Sequence, residues 1–310
     1  MARDIHSSLF LNNHYHYLLK DILNAPEELN QRTNTKVKAL PNRVLRYEID
    51  DCIPMINSRR MFPASAMAEL IWTLSGTKDL TWLQQHTKMW DGFANEENEI
   101  EASYGYRWRE QFGRDQIQEL INALVADPSD RQCFVSAWDN AKDGLGNRWT
   151  TNVPCPTSFT INIIDYHVNI NVNLRSSDAI VGLPYDTLMY TLLLIVITNQ
   201  LNTQGMNLSY GSVMLNLAHV HIYEPHYEMA HELIDNYEHW LDHRKNDFCY
   251  DVQDLSFNIQ PINWAFLTIE NATNNPDAML SMFKRMLAER DSKRPNGNKW
   301  PVCFKPEVIK

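Results

Sequence analysis

Phe159-Thr160-Ile161-Asn162-Ile163-Ile164-Asp165-Tyr166-His167-Val168-Asn169-Ile170-Asn171-Val172-Asn173-Leu174 is the stretch that decides the fold class. Phe159, Ile161 and Ile163 alternate with polar residues, as do Val168, Ile170, Val172 and Leu174. Such alternation predicts two strands with one apolar face each, because successive side chains of an extended chain point to opposite sides. Asp165-Tyr166 joins them as an antiparallel pair. The second face carries asparagines, which suit a hydrated surface or a polar interface.

Downstream, residues 188–201 are apolar nearly all round, which predicts a helix buried in the middle of the fold. Residues 213–223 return to strand-like alternation. Helical spacing runs over 14–24, through Tyr17, Leu18, Ile22 and Leu23, and over 64–75, through Met67, Leu70, Ile71 and Leu74. Further helices are predicted over 116–125, 227–241 and 279–287, the last opened by Pro276-Asp277. Arg32-Thr33-Asn34-Thr35 is polar and reads as a loop. The order of helices, strands, buried helix, strand and helices makes the class α+β.

The chain has 310 residues, 44% of them hydrophobic, enough for a full core, and no Pro/Gly/Ser-rich or highly charged stretch divides it. A single domain is expected. The net charge of -10 argues against a nucleic-acid backbone as partner, which needs a basic face. A few focused arginines still permit an anionic small substrate. The five cysteines, Cys52, Cys133, Cys155, Cys249 and Cys303, are odd in number and form no C-x-x-C, so free thiols in a reducing compartment are expected. Residues 1–11 lack the apolar core of a signal peptide. The longest apolar run, 188–197, is too short to span a bilayer. A cytoplasmic protein without membrane attachment is expected.

Cys155 stands between two prolines, in Asn152-Val153-Pro154-Cys155-Pro156. A lone cysteine is more often a small core residue than a nucleophile. Arg175-Ser176-Ser177-Asp178 follows, a pair suited to a phosphate and a guanidinium able to stabilise a thiolate. Gly182-Leu183-Pro184-Tyr185-Asp186 then ends in a carboxylate. His219-x-His221 could hold a metal, but no third ligand has a natural spacing.

The chain resembles the thymidylate synthase family, which includes deoxycytidylate hydroxymethylases. The resemblance is carried in one consistent order by Arg32-Thr33-x-Thr35, Glu69-Leu70-Ile71-Trp72 with Gly76, Trp90-Asp91, Tyr104-Gly105-x-x-Trp108-Arg109, Asp115-Gln116, Asp130-Arg131, Ser136-Ala137-Trp138, Pro154-Cys155, Arg175-Ser176-x-Asp178, Gly182-Leu183-Pro184 and His221-x-Tyr223. It implies a large mixed sheet packed with helices, one sheet face lying at a homodimer interface. The whole of 1–310 would be one catalytic domain, with an atypical helical C-terminal extension at about 225–310.

The resemblance also implies roles. Cys155 adds to C6 of a pyrimidine monophosphate, and C5 then takes the carbon of 5,10-methylenetetrahydrofolate. Arg32, Arg175 and Ser176 hold the phosphate, with Arg131 donated by the partner subunit. His221 and Tyr223 hold the sugar hydroxyl. Glu69 manages protons and water around the base, and Tyr104 helps remove the C5 proton. Asp178 faces the pterin, and Arg59 and Trp90 are placed on the folate side.

Departures from the family pattern carry information. Pro156, Gln132 and Thr160 replace the usual His, Arg and Gln, and Arg59 replaces a Lys. The similarity is expected to fade beyond Tyr223, and the last residues, from Phe304 to Lys310, lack the apolar tail that closes over folate. Asp186 stands where uracil-specific members carry Asn and cytosine-specific ones Asp. A protonated carboxyl matches the N3 acceptor and N4 amino donor of cytosine, and a mispaired buried edge costs about 1–3 kcal/mol per group. The bland alternative is that Asp186 caps a helix starting near Thr187. The expected reaction converts dCMP to 5-hydroxymethyl-dCMP. A CMP hydroxymethylase, a dCMP or dUMP methylase and a non-catalytic nucleotide binder stay open. Loss of the closing tail favours water as the final acceptor, whereas Trp90 matches a residue that shields the intermediate in methylating enzymes.

Overall fold

A computed structural model describes residues 7–49, 53–56, 58–59, 61–146, 153–246, 256–257 and 265–292. The expected free thiols at Cys52, Cys249 and Cys303, and the tail from Phe304, lie outside them. The chain opens with α1 (Ser7–Leu23), β1 (Glu27–Asn30), β2 (Thr35–Glu48), β3 (Ile53–Pro54) and α2 (Pro63–Leu74). Then come α3 (Tyr104–Tyr106), running on as a π-helical turn (Arg107–Gln111), α4 (Gln116–Ala126) and β4 (Phe134–Ser136). The predicted strand pair is β5 (Pro156–Ile164) and β6 (His167–Leu174), followed by β7 (Ser177–Asp178), α5 (Leu183–Thr203) and β8 (Ser209–Tyr223). The chain continues with α6 (Tyr227–Asn246), β9 (Ser256–Phe257), α7 (Ile269–Asn274) and α8 (Pro276–Ser292).

One sheet of order β1-β2-β8-β6-β5-β4, with β7 beside β8, dominates the fold, so the class is α+β as read from the sequence. β5 and β6 pair antiparallel as read from the sequence, with Ile161 opposite Ile170. β6 and β8 are parallel neighbours. A parallel pair needs a crossover, and α5 supplies it, lying on the inner face of the sheet. On its far side α5 packs against α2, so it has no polar face to present. Each fully buried Leu or Ile contributes about 1.5–3 kcal/mol, which makes α5 the centre of the core.

The outer sheet face carries the asparagines, and they satisfy one another. Asn216 donates to both Asn171 and Asn173, Asn173 donates to Ser158 Oγ at 3.0 Å, and Ser212 Oγ donates to Asn169 Oδ1 at 2.8 Å.

Two readings need correction. β2 was not visible in the sequence, because Pro41 and Asn42, the latter at φ 52°, interrupt its alternation. α5 begins at Leu183 rather than near Thr187, with Gly182 at its N-cap and no side-chain cap. Asp186 therefore lies inside the first turn, and the helix-cap reading of this residue fails.

Candidate active site

Cys155 sits half-buried at the entrance to β5. Its loop is held by Arg175, whose Nε donates to Pro154 O and whose Nη2 donates to Val153 O, both at 2.8 Å. The same Nη2 lies 3.8 Å from Cys155 Sγ, and the Arg175 amide donates to Cys155 O at 2.9 Å. Burial pushes the thiol pKa up, Arg175 and Arg32 pull it down, and Asp186 opposes them. Trp138, which the sequence presented only as part of a motif, supports the Arg175 guanidinium at 6.0 Å from its ring.

Glu69 projects from the middle of α2 and is 7% exposed. Its Oε1 accepts the indole hydrogen of Trp90 at 2.9 Å. Burial raises its pKa to about 7, against the opposing effect of that hydrogen bond. Trp90 meets Tyr104 edge-on at 6.0 Å. Tyr104 reaches this position because Gly105 packs directly on α2, where a Cβ would fall 1.9 Å from Thr73 O. The Tyr104 phenol pKa is pushed well up by burial, then by the charges of Cys155 and Asp186, so it stays protonated.

Asp186 joins the same group from the first turn of α5. Burial, then the charges of Glu69 and Asp178, push its carboxyl up to about 8. Asp178 Oδ1 accepts the amides of Ile180 and Val181 at 2.8 and 3.0 Å, which fixes the turn leading to α5. Two residues that sequence reasoning missed hold that turn and the start of α5 from below. Tyr15 donates to Ala179 O at 2.8 Å, and Tyr47 donates to Thr187 O at 2.8 Å and meets Thr191 Oγ1 at 3.0 Å. A tyrosine within an apolar stripe gives no sequence signal of such a bond.

His221 pairs with Asp178 across β7 and β8 and is 6% exposed, with Nδ1 free of partners. Burial lowers its pKa to about 4, opposed by Asp178, so the ring is neutral. Tyr223 packs edge-on against it at 4.8 Å. Arg32 is exposed on the β1–β2 turn, and its charge acts on both Cys155 and His221. Ser176 is half-buried between β6 and β7. Arg59 is buried, donating to Ile180 O at 2.5 Å with its guanidinium 5.9 Å from the Tyr185 ring. Its contacts therefore support the Asp178–Asp186 turn from inside.

Arg131 stands apart. It is exposed on the turn between α4 and β4, beside an open hollow formed with Asp127, Ser129, Asp130 and Gln132. The Ile161 amide donates to Cys133 O, so Arg131 lies beyond the sixth residue of β5, about 20 Å along the strand from Cys155 at ~3.3 Å per residue. Also missed was the buried pair of Arg107 with Asp143, which ties the turn after α3 to the loop before Cys155.

The arrangement offers a thiol beside a guanidinium, a carboxyl that titrates near neutrality and a second carboxyl held protonated. Among the described residues no group of three or more His, Cys, Asp or Glu is arranged to hold a metal, and no helix is long and apolar enough to cross a membrane. The half-buried Trp90 ring, hydrogen-bonded to Glu69 and edge-on to Tyr104, suits stacking with an aromatic heterocycle, whereas the Arg59 guanidinium is turned inward onto Ile180 O.

A family model described as thymidylate synthase matches residues 13–257. The match continues past Tyr223, through α6 to β9, farther than the motifs alone indicated. A thymidylate synthase from Francisella philomiragia subsp. philomiragia is 27% identical over 230 residues, covering 70% of this chain and 82% of that protein.

Proposed function

Because the chain belongs to the thymidylate synthase family, whose members transfer a one-carbon unit from methylenetetrahydrofolate to a pyrimidine nucleotide, we propose that it is a deoxycytidylate 5-hydroxymethyltransferase. The observation that carries the base assignment is the Asp186 carboxyl, raised to about 8 beside Cys155. Protonated at neutral pH, it donates O–H to cytosine N3 and accepts from the N4 amino group.

Arg32, Arg175 and Ser176 hold the phosphate, together with Arg131 from a second copy of the chain. The separation of Arg131 from Cys155 in one chain, about 20 Å along β5, supports that donation in a homodimer. His221, neutral, and Tyr223 hold the sugar hydroxyl. Trp90 and Asp178 hold the folate, which when bound supplies carbon at the oxidation level of formaldehyde.

Cys155 sulfur bonds to C6, and the electron pair of C5=C6 makes C5 the nucleophile for the new carbon–carbon bond. Tyr104 holds the water that takes the C5 proton. Loss of that proton breaks the bond between the new carbon and the folate nitrogen and releases tetrahydrofolate. Glu69, with a pKa of about 7, then removes a proton from a second water as its oxygen bonds to that carbon. The C6–S bond then breaks and returns its electron pair to sulfur. The balance is dCMP, methylenetetrahydrofolate and water giving 5-hydroxymethyl-dCMP and tetrahydrofolate.

A second reading, methyl transfer, is favoured by the Trp90–Glu69 hydrogen bond, which closes one side of the cleft against water. Incubating the protein with methylenetetrahydrofolate and dCMP, CMP or dUMP, then weighing the products and following dihydrofolate absorbance, separates the readings. A hydroxymethylated dCMP without dihydrofolate is expected. Turnover of dUMP alone overturns the base assignment, and a methylated product overturns hydroxymethylation.

A further inference from the structure

The α7–α8 hairpin, residues 269–292, lies beyond the stretch that matches the family. α8 packs along α2, and α7 packs on α2 and α5. The seam is apolar, with Leu267, Ile269, Met279, Leu280, Phe283 and Met286 all buried. It explains why α2 has so little polar surface: one side meets α5 and the other meets the hairpin.

Polar contacts line the rim of this seam. Arg109 Nη1 donates to Leu74 O, at the end of α2, at 2.6 Å and to Thr273 Oγ1 at 3.3 Å. Trp82 Nε1 donates to Asp277 Oδ1 at 3.0 Å, and Trp82 and His86 meet edge-on. Trp82 opens the segment of short 3-10 turns, Leu83–Gln85 and Asp91–Phe93, that ends at Trp90 and Phe93. The backbone hydrogen bonds of these turns, such as Gln84 N–H to Leu80 O and Phe93 N–H to Trp90 O, all join near neighbours in the chain, so side-chain contacts set the segment's position on the rest of the fold. The hairpin thus touches both halves of the Glu69–Trp90 junction, Glu69 through α2 and Trp90 through the segment that begins at Trp82.

We infer that α7–α8 is a clamp that holds Trp90 against Glu69, with Asp277 and Thr273 as positioning residues for the folate side of the cleft. The catalytic part of this inference rests on the reading of Trp90 as a folate-facing wall.

The test pairs two measurements on the full chain carrying Asp277→Ala with Thr273→Val, both at exposed positions whose loss leaves the apolar seam intact. Losing the polar contacts of these two side chains is expected to raise KM for methylenetetrahydrofolate about three- to tenfold while the Kd for dCMP stays within about twofold. Amide exchange over residues 80–93 is expected to accelerate by a similar factor, with that of α5 unchanged. Asp277→Asn, which keeps the acceptor oxygen, is expected to restore both values, and Phe283→Ala to enlarge both effects. Wild-type exchange over 80–93 overturns the clamp, whether or not the protein turns over any nucleotide. An unchanged folate KM, or an equal loss of dCMP affinity, in an active enzyme overturns its role in the cleft. Absence of turnover in the wild type counts against the proposed function alone, and the exchange measurement still decides the clamp.

Discussion

Arg175 and Cys155 are bound into one unit: the guanidinium gives two hydrogen bonds to the carbonyls just before the cysteine and lies 3.8 Å from its sulfur. A planar fork can do this and a point charge cannot. Arg175→Lys is therefore expected to slow alkylation of the Cys155 thiol by iodoacetamide and to weaken dCMP binding, each about tenfold, consistent with loss of one charge-assisted bond. An alkylation rate equal to wild type at pH 7.5 contradicts the pairing.

In the proposed reaction Asp186 sets the base. Asp186→Asn replaces an O–H donor by an N–H donor and frees the position from titration. The ratio of kcat/KM for dCMP over dUMP is expected to fall by about 10- to 200-fold, the range of one or two mispaired buried groups. Measuring both substrates on the same preparation checks it, and an unchanged ratio removes Asp186 from recognition.

The two raised carboxyls also make stability depend on pH. Glu69 moves from 4.5 to about 7 and Asp186 from 3.8 to about 8, so between pH 4 and 8 the folded state binds more protons than the unfolded. Stability from these groups is therefore highest at low pH and is lost as pH rises toward 8. Glu69→Gln with Asp186→Asn is expected to flatten this slope in urea melts and to raise stability at pH 8 by up to about 6 kcal/mol relative to its effect at pH 5. For the wild type, kcat/KM for dCMP is expected to decline above about pH 8, as Asp186 ionises.

Much of this fold was legible because its period was clean. β5, β6, β8 and α5 lie where alternation and continuous apolarity put them, since each buries one or all faces against a single core. β2 was not legible, because Pro41 and Asn42 break its pattern while its pairing to β8 is fixed by partners distant in sequence. Cys155, Glu69, Tyr104, Arg175 and Asp186, which the fold brings within electrostatic reach of one another, were singled out through motif order, whereas their supports were not. Tyr15, Tyr47 and Asp143 act through long-range bonds, and a long-range bond leaves no periodic trace. Arg59 shows the limit from the other side: its charge was readable, its inward direction was not.

Arg107 and Asp143 form such an unreadable support, fully buried and joined through both guanidinium nitrogens. Removing one partner leaves the other charge buried without compensation. Asp143→Ala is expected to cost about 3–5 kcal/mol in chemical denaturation, and Arg107→Met with Asp143→Leu together much less. A double variant as unstable as the single one rules out an uncompensated charge as the cause.

Arg131 provides the test of shared sites. In one chain it lies about 20 Å along β5 from the thiol that the phosphate must approach. Cys155→Ser removes the nucleophile from a chain's own site, and Arg131→Ala removes the phosphate contact that the chain lends to its partner. Each variant alone is expected to be nearly inactive. After mixing, unfolding and refolding together, half the dimers pair one chain of each kind. In these, the Arg131→Ala chain supplies Cys155 and receives Arg131, so about a quarter of wild-type sites are complete. Recovery of activity toward that level, scaling with the product of the two concentrations, is the expected outcome. No recovery from refolded dimers of confirmed mixed composition means that Arg131 does not serve the neighbouring site.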